Sequence, residues 1–107
     1  MISRHWKGVA KVKDSDNYID HLRRETFPEL RKLDGFVDAA ILNRSSENGV
    51  EFLIVTRWRS MEAIRQFTGE STSVAVVPAA VQAMMVDYDN EVTHFEVVEE
   101  FDGGNAG

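Results

Sequence analysis

The residues able to do chemistry in this chain are few and scattered. The stretch "RWRSMEAIRQF" (57 to 67) places Trp58 where an apolar β-rich run ends and an amphipathic helix begins, as a reactive ring or as packing. Burying ~150 to 250 Å² of indole at roughly 25 cal/mol/Å² contributes several kcal/mol, so packing alone accounts for a tryptophan here. The histidines, His5, His21 and His94, fall at no helical metal spacing. If the first and last strands are neighbours, His5 and His94 meet on one outer face with Glu96 two residues on, giving two imidazoles and a carboxylate. That face is also the expected dimer interface or its rim, where polar pairs are ordinary, so no metal site is expected. His21, the Arg23 and Arg24 pair and the Glu99 and Glu100 pair read as solvated. The Met84 and Met85 pair reads as gap-filling in a small core. There is no cysteine, which removes thiol nucleophiles, disulfides and thiolate metal sites and fits a reducing cytoplasm. Nor does the sequence show a nucleophile and base pair or a phosphate-cradling loop.

The elements that must hold these residues follow from periodicity. "ISRHWKGVAKV" (2 to 12) alternates Trp6, Gly8, Ala10 and Val12 against His5, Lys7, Val9 and Lys11, the period of a strand with its even face inward. "KDSDNYIDHLRRETFPELRKLDG" offers Asp14, Ser15 or Asp16 as a cap, apolar Tyr18, Leu22, Leu30 and Leu33, and Gly35 as a stop. Pro28 inside that helix removes a backbone donor and predicts a kink or break near Thr26 and Phe27. "FVDAAILNR" and "GVEFLIVTRW" flank "SSENG" and predict an antiparallel hairpin. In its second strand Phe52, Ile54, Thr56 and Trp58 share one face, and Leu53, Val55 and Arg57 the other. Ser60 caps a short helix with Met61, Ile64 and Phe67 on one side. Residues 74 to 86 read as a loop and then a second short helix starting near Pro78. "EVTHFEVVEE" (91 to 100) reads as the last strand, and "FDGGNAG" (101 to 107) as a disordered Gly-rich tail.

The order strand, helix, strand, strand, helix, strand over residues 1 to 100 is the ferredoxin-like α+β arrangement, βαββαβ, with an antiparallel sheet in the order 4-1-3-2. Helices cover one face. The apolar centre of the other, Leu53 and Val55, predicts a homodimer that packs two sheets together. The formal charge is −6, with nine Lys/Arg against eight Asp/Glu in residues 1 to 50 and three against ten in 51 to 107. The acidic half argues against nucleic acid or an anionic membrane as partner. No signal peptide or membrane span is expected at the N-terminus, and the expected location is the cytoplasm.

In "RHWKGVAKV", "FPELRKLDGFVDAAIL", "EFLIVTRWRSMEAIRQF" and "THFEVVEE" the chain resembles the antibiotic biosynthesis monooxygenase family of dimeric α+β barrels. Relatives sharing that fold oxidise polyketide aromatics without a cofactor, degrade haem, or isomerise small molecules, so the fold leaves the reaction open. The resemblance to the haem degraders implies an essential tryptophan where this chain has Phe67, a haem-ligating histidine at Val77, and an asparagine near His5 or Trp6. None of these is present, which counts against haem degradation. The resemblance to the cofactor-free quinone-forming oxygenases implies an apolar pocket between sheet and helices, a group that holds a phenolate, and exclusion of water. Trp6, Trp58, Phe67, Met84 and Met85 are the candidate walls, and Arg57 or His5 the candidate polar handle. The alternative is a non-catalytic dimeric ligand-binding or stress-associated protein that uses the same pocket.

Overall fold

The computed structural model describes residues 1–104. Its five strands are β1 (Ile2–Ala10), β2 (Phe36–Ser46), β3 (Gly49–Trp58), β4 (Met85–Tyr88) and β5 (Thr93–Glu96), and its α-helices are α1 (Ser15–His21), α2 (Phe27–Arg31), α3 (Met61–Thr68) and α4 (Ala79–Gln82). The sheet is antiparallel throughout, in the order β2-β3-β1-β4, with β5 also paired to β1. This is the expected ferredoxin-like α+β fold with one more strand. The edge of β1 is shared: β4 lies opposite Gly8 to Ala10, and β5 lies opposite Ile2 to His5. The sheet remains open.

Near Thr26 and Phe27, where a kink or break is expected, there is a local disturbance but no break. Between α1 and α2 the chain stays right-handed and widens into a π-helical turn, Leu22–Thr26, just before the proline. A π turn lets the helix absorb the missing donor and the bulk of the ring without interruption. The helix ends at Arg31 with Lys32 as its cap, three residues before the stop expected at Gly35; Gly35, at φ +89°, turns the chain into β2 instead, and a Cβ there would lie 2.5 Å from that of Ala63 on α3. The hairpin closes at Ser46 opposite Gly49, where a Cβ would stand 2.2 Å from the Ala10 carbonyl oxygen, so only glycine allows β1 this close.

The second short helix is shorter than its sequence suggests. It ends at Gln82, and Met85 and Val86, read as helical, begin β4 instead. Main-chain bonds from Lys11 to the Met84 carbonyl and from Asp89 to the Lys7 carbonyl tie this strand to β1, so sheet pairing overrides the helical pattern. Residues 101–104 carry no helix or strand, and the rest of the expected tail, 105–107, lies outside the described residues. Among the described residues no helix is long and apolar enough to cross a membrane.

The helices cover the face of the sheet that carries Trp6, Phe52, Ile54 and Trp58. Two clusters form beneath them. One joins Ala10, Tyr18, Leu22, Phe52, Val81 and Met85; the other joins Leu30, Trp58, Ala63 and Ile64. On the opposite face the register brings together Leu42 and Leu53, with Ala40 beside Val55 and His5. Leu42 and Phe95 are large apolar side chains exposed in this single chain.

Candidate functional site

A cavity of ≈ 80 Å³ lies between the two clusters, under the helices. Trp6 and Arg4 of β1, Ile54 and Thr56 of β3, and Phe67 of α3 form its floor and one side. Tyr18, Leu22 and Phe27 from the first helical stretch and Val76, Val77 and Pro78 from the segment after α3 close it. Period-two alternation explains the floor. On β1 the side chains of Arg4, Trp6 and Ala10 point to the helices, and Gly8 on the same face leaves room for the Trp6 ring; a Cβ at Gly8 would come within 2.6 Å of it. The indole N–H of Trp6 donates to the Asp89 carbonyl at 2.8 Å, and its ring is tilted against Tyr18 and Tyr88 at 6.2 and 6.4 Å.

Arg4 is the polar group of the site. Its side chain is buried, at 5% exposure for the residue. Nη1 donates to the Thr72 carbonyl at 2.5 Å and to Nε2 of His94 at 3.0 Å, Nη2 donates to the Val74 carbonyl at 3.1 Å, and the guanidinium lies 5.8 Å from the centroid of the Phe67 ring. That distance is within the range of a cation–π contact. Burial lowers the Arg4 pKa to about 10, which leaves it charged at neutral pH. Burial and then the Arg4 charge hold His94 below the usual histidine range, so it is a neutral acceptor. Burial raises the Tyr18 phenol, keeping it protonated.

The residues singled out in the sequence divide sharply. Trp6 and Phe67 line the cavity. Trp58 does not: it is 0% exposed, donates to Thr56 Oγ1 at 2.9 Å, meets Phe36 edge-on at 5.2 Å and stacks on Phe67 at 6.2 Å. It packs behind the wall and is not itself a wall. Met84 packs against the first cluster without lining the cavity, and Met85 is buried in that cluster. Arg57 is on the open face, joined by two hydrogen bonds to Asp38 at 2.6 and 2.8 Å and also to Glu100. It cannot serve as the polar handle. His5 is also on that face, bonded to Ser3 at 2.8 Å and packed on Phe95.

The register places Arg4 opposite His94 and His5 opposite Thr93. His94 therefore lies on the helix side and His5 on the open side, and the two imidazoles are not brought together. Glu96 shares the phase of His94 but is exposed. No cluster of three or more metal-ligating His, Cys, Asp or Glu residues occurs among the described residues. Sequence reading missed Arg4, although the signal was present: it is a cation two residues before Trp6 on the inward face.

The antibiotic biosynthesis monooxygenase family model matches residues 10–79. The chain belongs to this family. Solved structures agree on its fold. An antibiotic biosynthesis monooxygenase-type protein of Bacillus cereus is similar with a TM-score of 0.64 at 17% identity, over 94% of each chain. One from Deinococcus radiodurans has a TM-score of 0.64 at 17% identity, over 95% of this chain and 97% of that one. The haem degrader MhuD of Mycobacterium tuberculosis, solved with two haems in its active site, has a TM-score of 0.67 at 13% identity, over 95% of this chain and 100% of its own. Among curated proteins no sequence matches the chain closely. For this family member, Phe67 and Val77, the positions at which the resemblance implies a haem degrader's tryptophan and histidine, both line the cavity.

Proposed function

We propose that this family member is a cofactor-independent oxygenase of a small, hydrophobic, electron-rich phenol, working in the cytoplasm as a homodimer. The observation that carries the reading is the aromatic-walled cavity between sheet and helices, floored by Trp6 and sided by Phe27 and Phe67. Such a site excludes water from a reactive aromatic. At ≈ 80 Å³ it is about half the size of a cavity of roughly 150 Å³ that binds benzene. A single ring is thus the natural ligand.

The reaction balances without a further reductant. A phenol with a free para C–H and one O2 give a para-quinone and one water: four electrons leave the phenol, the para C–H and the phenolic O–H break, a C–O bond forms at the para carbon, and the O–O bond breaks, with one oxygen kept as the new carbonyl and the other leaving as water with the two hydrogens. The substrate itself reduces oxygen. The dimer is supported by the open face, where Leu42, Leu53, Val55 and Phe95 form an apolar centre beside the Arg57 and Asp38 ion pair.

Oxygen uptake, measured with a panel of single-ring electron-rich phenols with a free para position alongside anthrone-type tricyclics, tests the activity. The expected result is uptake above the buffer rate on the single-ring compounds first. No uptake on any member moves the reading to a non-catalytic ligand-binding protein. Light scattering tests the assembly, and the mass of one chain at micromolar concentration would refute the dimer.

A further inference from the structure

We propose that the cavity takes its ligand as an anion, with Arg4 pairing to an ionised oxygen, phenolate or carboxylate, on a single aromatic ring. The inference deepens the oxygenase reading and rests on its cavity.

A guanidinium carries five N–H donors. In Arg4 three are committed, to the Thr72 and Val74 carbonyls and to His94, leaving Nε–H and one Nη2 N–H without a partner among the described residues. Nε–H is not sealed away. Among the described residues no side-chain nitrogen is both fully buried and unpartnered, so Nε touches accessible space, and Arg4 is a lining residue of the cavity. Nε–H together with an Nη2 N–H is the pair that a guanidinium offers to a two-oxygen acid or a single strong oxyanion.

The charge is also unmatched. None of the ion pairs among the described residues includes Arg4, and its three acceptors are neutral. A buried cation without a counter-charge is costly, and an anionic ligand relieves that cost where a neutral one does not. Around this charge the walls are apolar, with the Phe67 ring beneath the guanidinium and Trp6 beside it on β1. Such surroundings select a flat apolar body bearing one acidic group. Tyr18 lines the same cavity; its hydroxyl makes no hydrogen bond among the described residues and, held protonated, supplies a neutral donor. A merely structural Arg4, pinning the segment after α3 through the two carbonyls, predicts no preference for an anion.

Two probes separate these roles. 4-Nitrophenol reports its own ionisation by absorbance, so its midpoint can be read bound to the wild-type protein and free. An apolar cavity raises that midpoint and a facing cation lowers it. The expected result is a fall of about one pH unit or more. The titratable groups facing the site, Tyr18 from α1 and His94 from β5, do not contribute to the nitrophenolate absorbance. Benzoate and its neutral isostere benzamide form the second arm, read by calorimetry, with benzoate expected to bind at least tenfold more tightly. The preference should vanish in Arg4→Met and persist in part in Arg4→Lys. Binding of nitrophenolate alone identifies a phenolic ligand, and of benzoate alone a carboxylic acid. A raised midpoint, equal affinity for benzoate and benzamide, a preference that survives in Arg4→Met, or no binding of either anion at millimolar concentration overturns the proposal. If Arg4→Met does not fold, both wild-type arms still decide. None of these readouts needs turnover: anion binding without oxygen uptake defeats the oxygenase alone, and uptake without anion preference defeats the role of Arg4 alone.

Discussion

The two tryptophans share one face of one sheet and differ in almost everything else. Trp58 ends β3 where α2 and α3 close tightly: Leu30, Ala63 and Ile64 surround it, Phe36 and Phe67 flank its ring, and Thr56 satisfies its N–H. Trp6, on β1, is only half-buried; it faces the first helical stretch and a segment with no regular structure, and its N–H reaches a loop carbonyl. Equal chemistry therefore does not mean equal use. A large ring enclosed by helices stabilises the fold, and a large ring next to irregular backbone is left to meet a ligand.

That division can be broken in steps. Trp58→Ala should cost about 3 to 5 kcal/mol from the cavity it leaves, enough to unfold much of so small a domain, as denaturant titration would show. Gly8→Ala should cost about 1 to 3 kcal/mol, because the new Cβ collides with the Trp6 ring, and tryptophan fluorescence should report the displaced indole. Trp6→Phe should cost under about 1.5 kcal/mol in stability while weakening benzoate binding severalfold, the reverse of the pattern at Trp58. Substantial unfolding by Trp6→Phe, or a thermally stable Trp58→Ala, would erase the distinction.

The smallest effect expected concerns acid. The His94 pKa is lowered in the folded chain, so the unfolded state binds the proton more readily. The stability associated with neutral His94 is complete above the unfolded value of 6.5 and declines as pH falls through the depressed folded value. His94→Gln keeps an acceptor for Arg4 and removes the titration, so its denaturation midpoint should vary less with pH below 6.5. His5, whose pKa is lowered by burial and then by Lys7, contributes equally to both proteins.

Much of this was legible in the sequence because the cause was local. Alternation placed Phe52, Ile54 and Trp58 on one face, and "SSENG" located the hairpin. Pro28 showed where the helix would be disturbed, though not that a π turn would absorb the disturbance. What could not be read depends on register. Whether His94 lies above or below the sheet depends on its pairing with Arg4 and not Ser3, a choice made by the partner strand. Met85 to Tyr88 pair with β1 because an edge is free there, and nothing in "AMMVDY" announces it. Arg4 and Arg57 are the instructive pair: parity already put Arg57 on the outer face, and the same rule, carried back from Trp6, would have found Arg4.

The Arg4 hydrogen bonds to the Thr72 and Val74 carbonyls, with the main-chain bonds from Ala75 to the Asn90 carbonyl and from Val92 to the Ser73 carbonyl, fasten a crossing that holds no helix and only an isolated bridge, Val74 to Glu91. The same crossing supplies Val76, Val77 and Pro78 to the cavity. The interior dimensions of the site are thus governed by about ten residues that bear little of the fold. Exchanging that short stretch, with its anchor kept, would let one scaffold be refitted to a different guest while every strand remained in place.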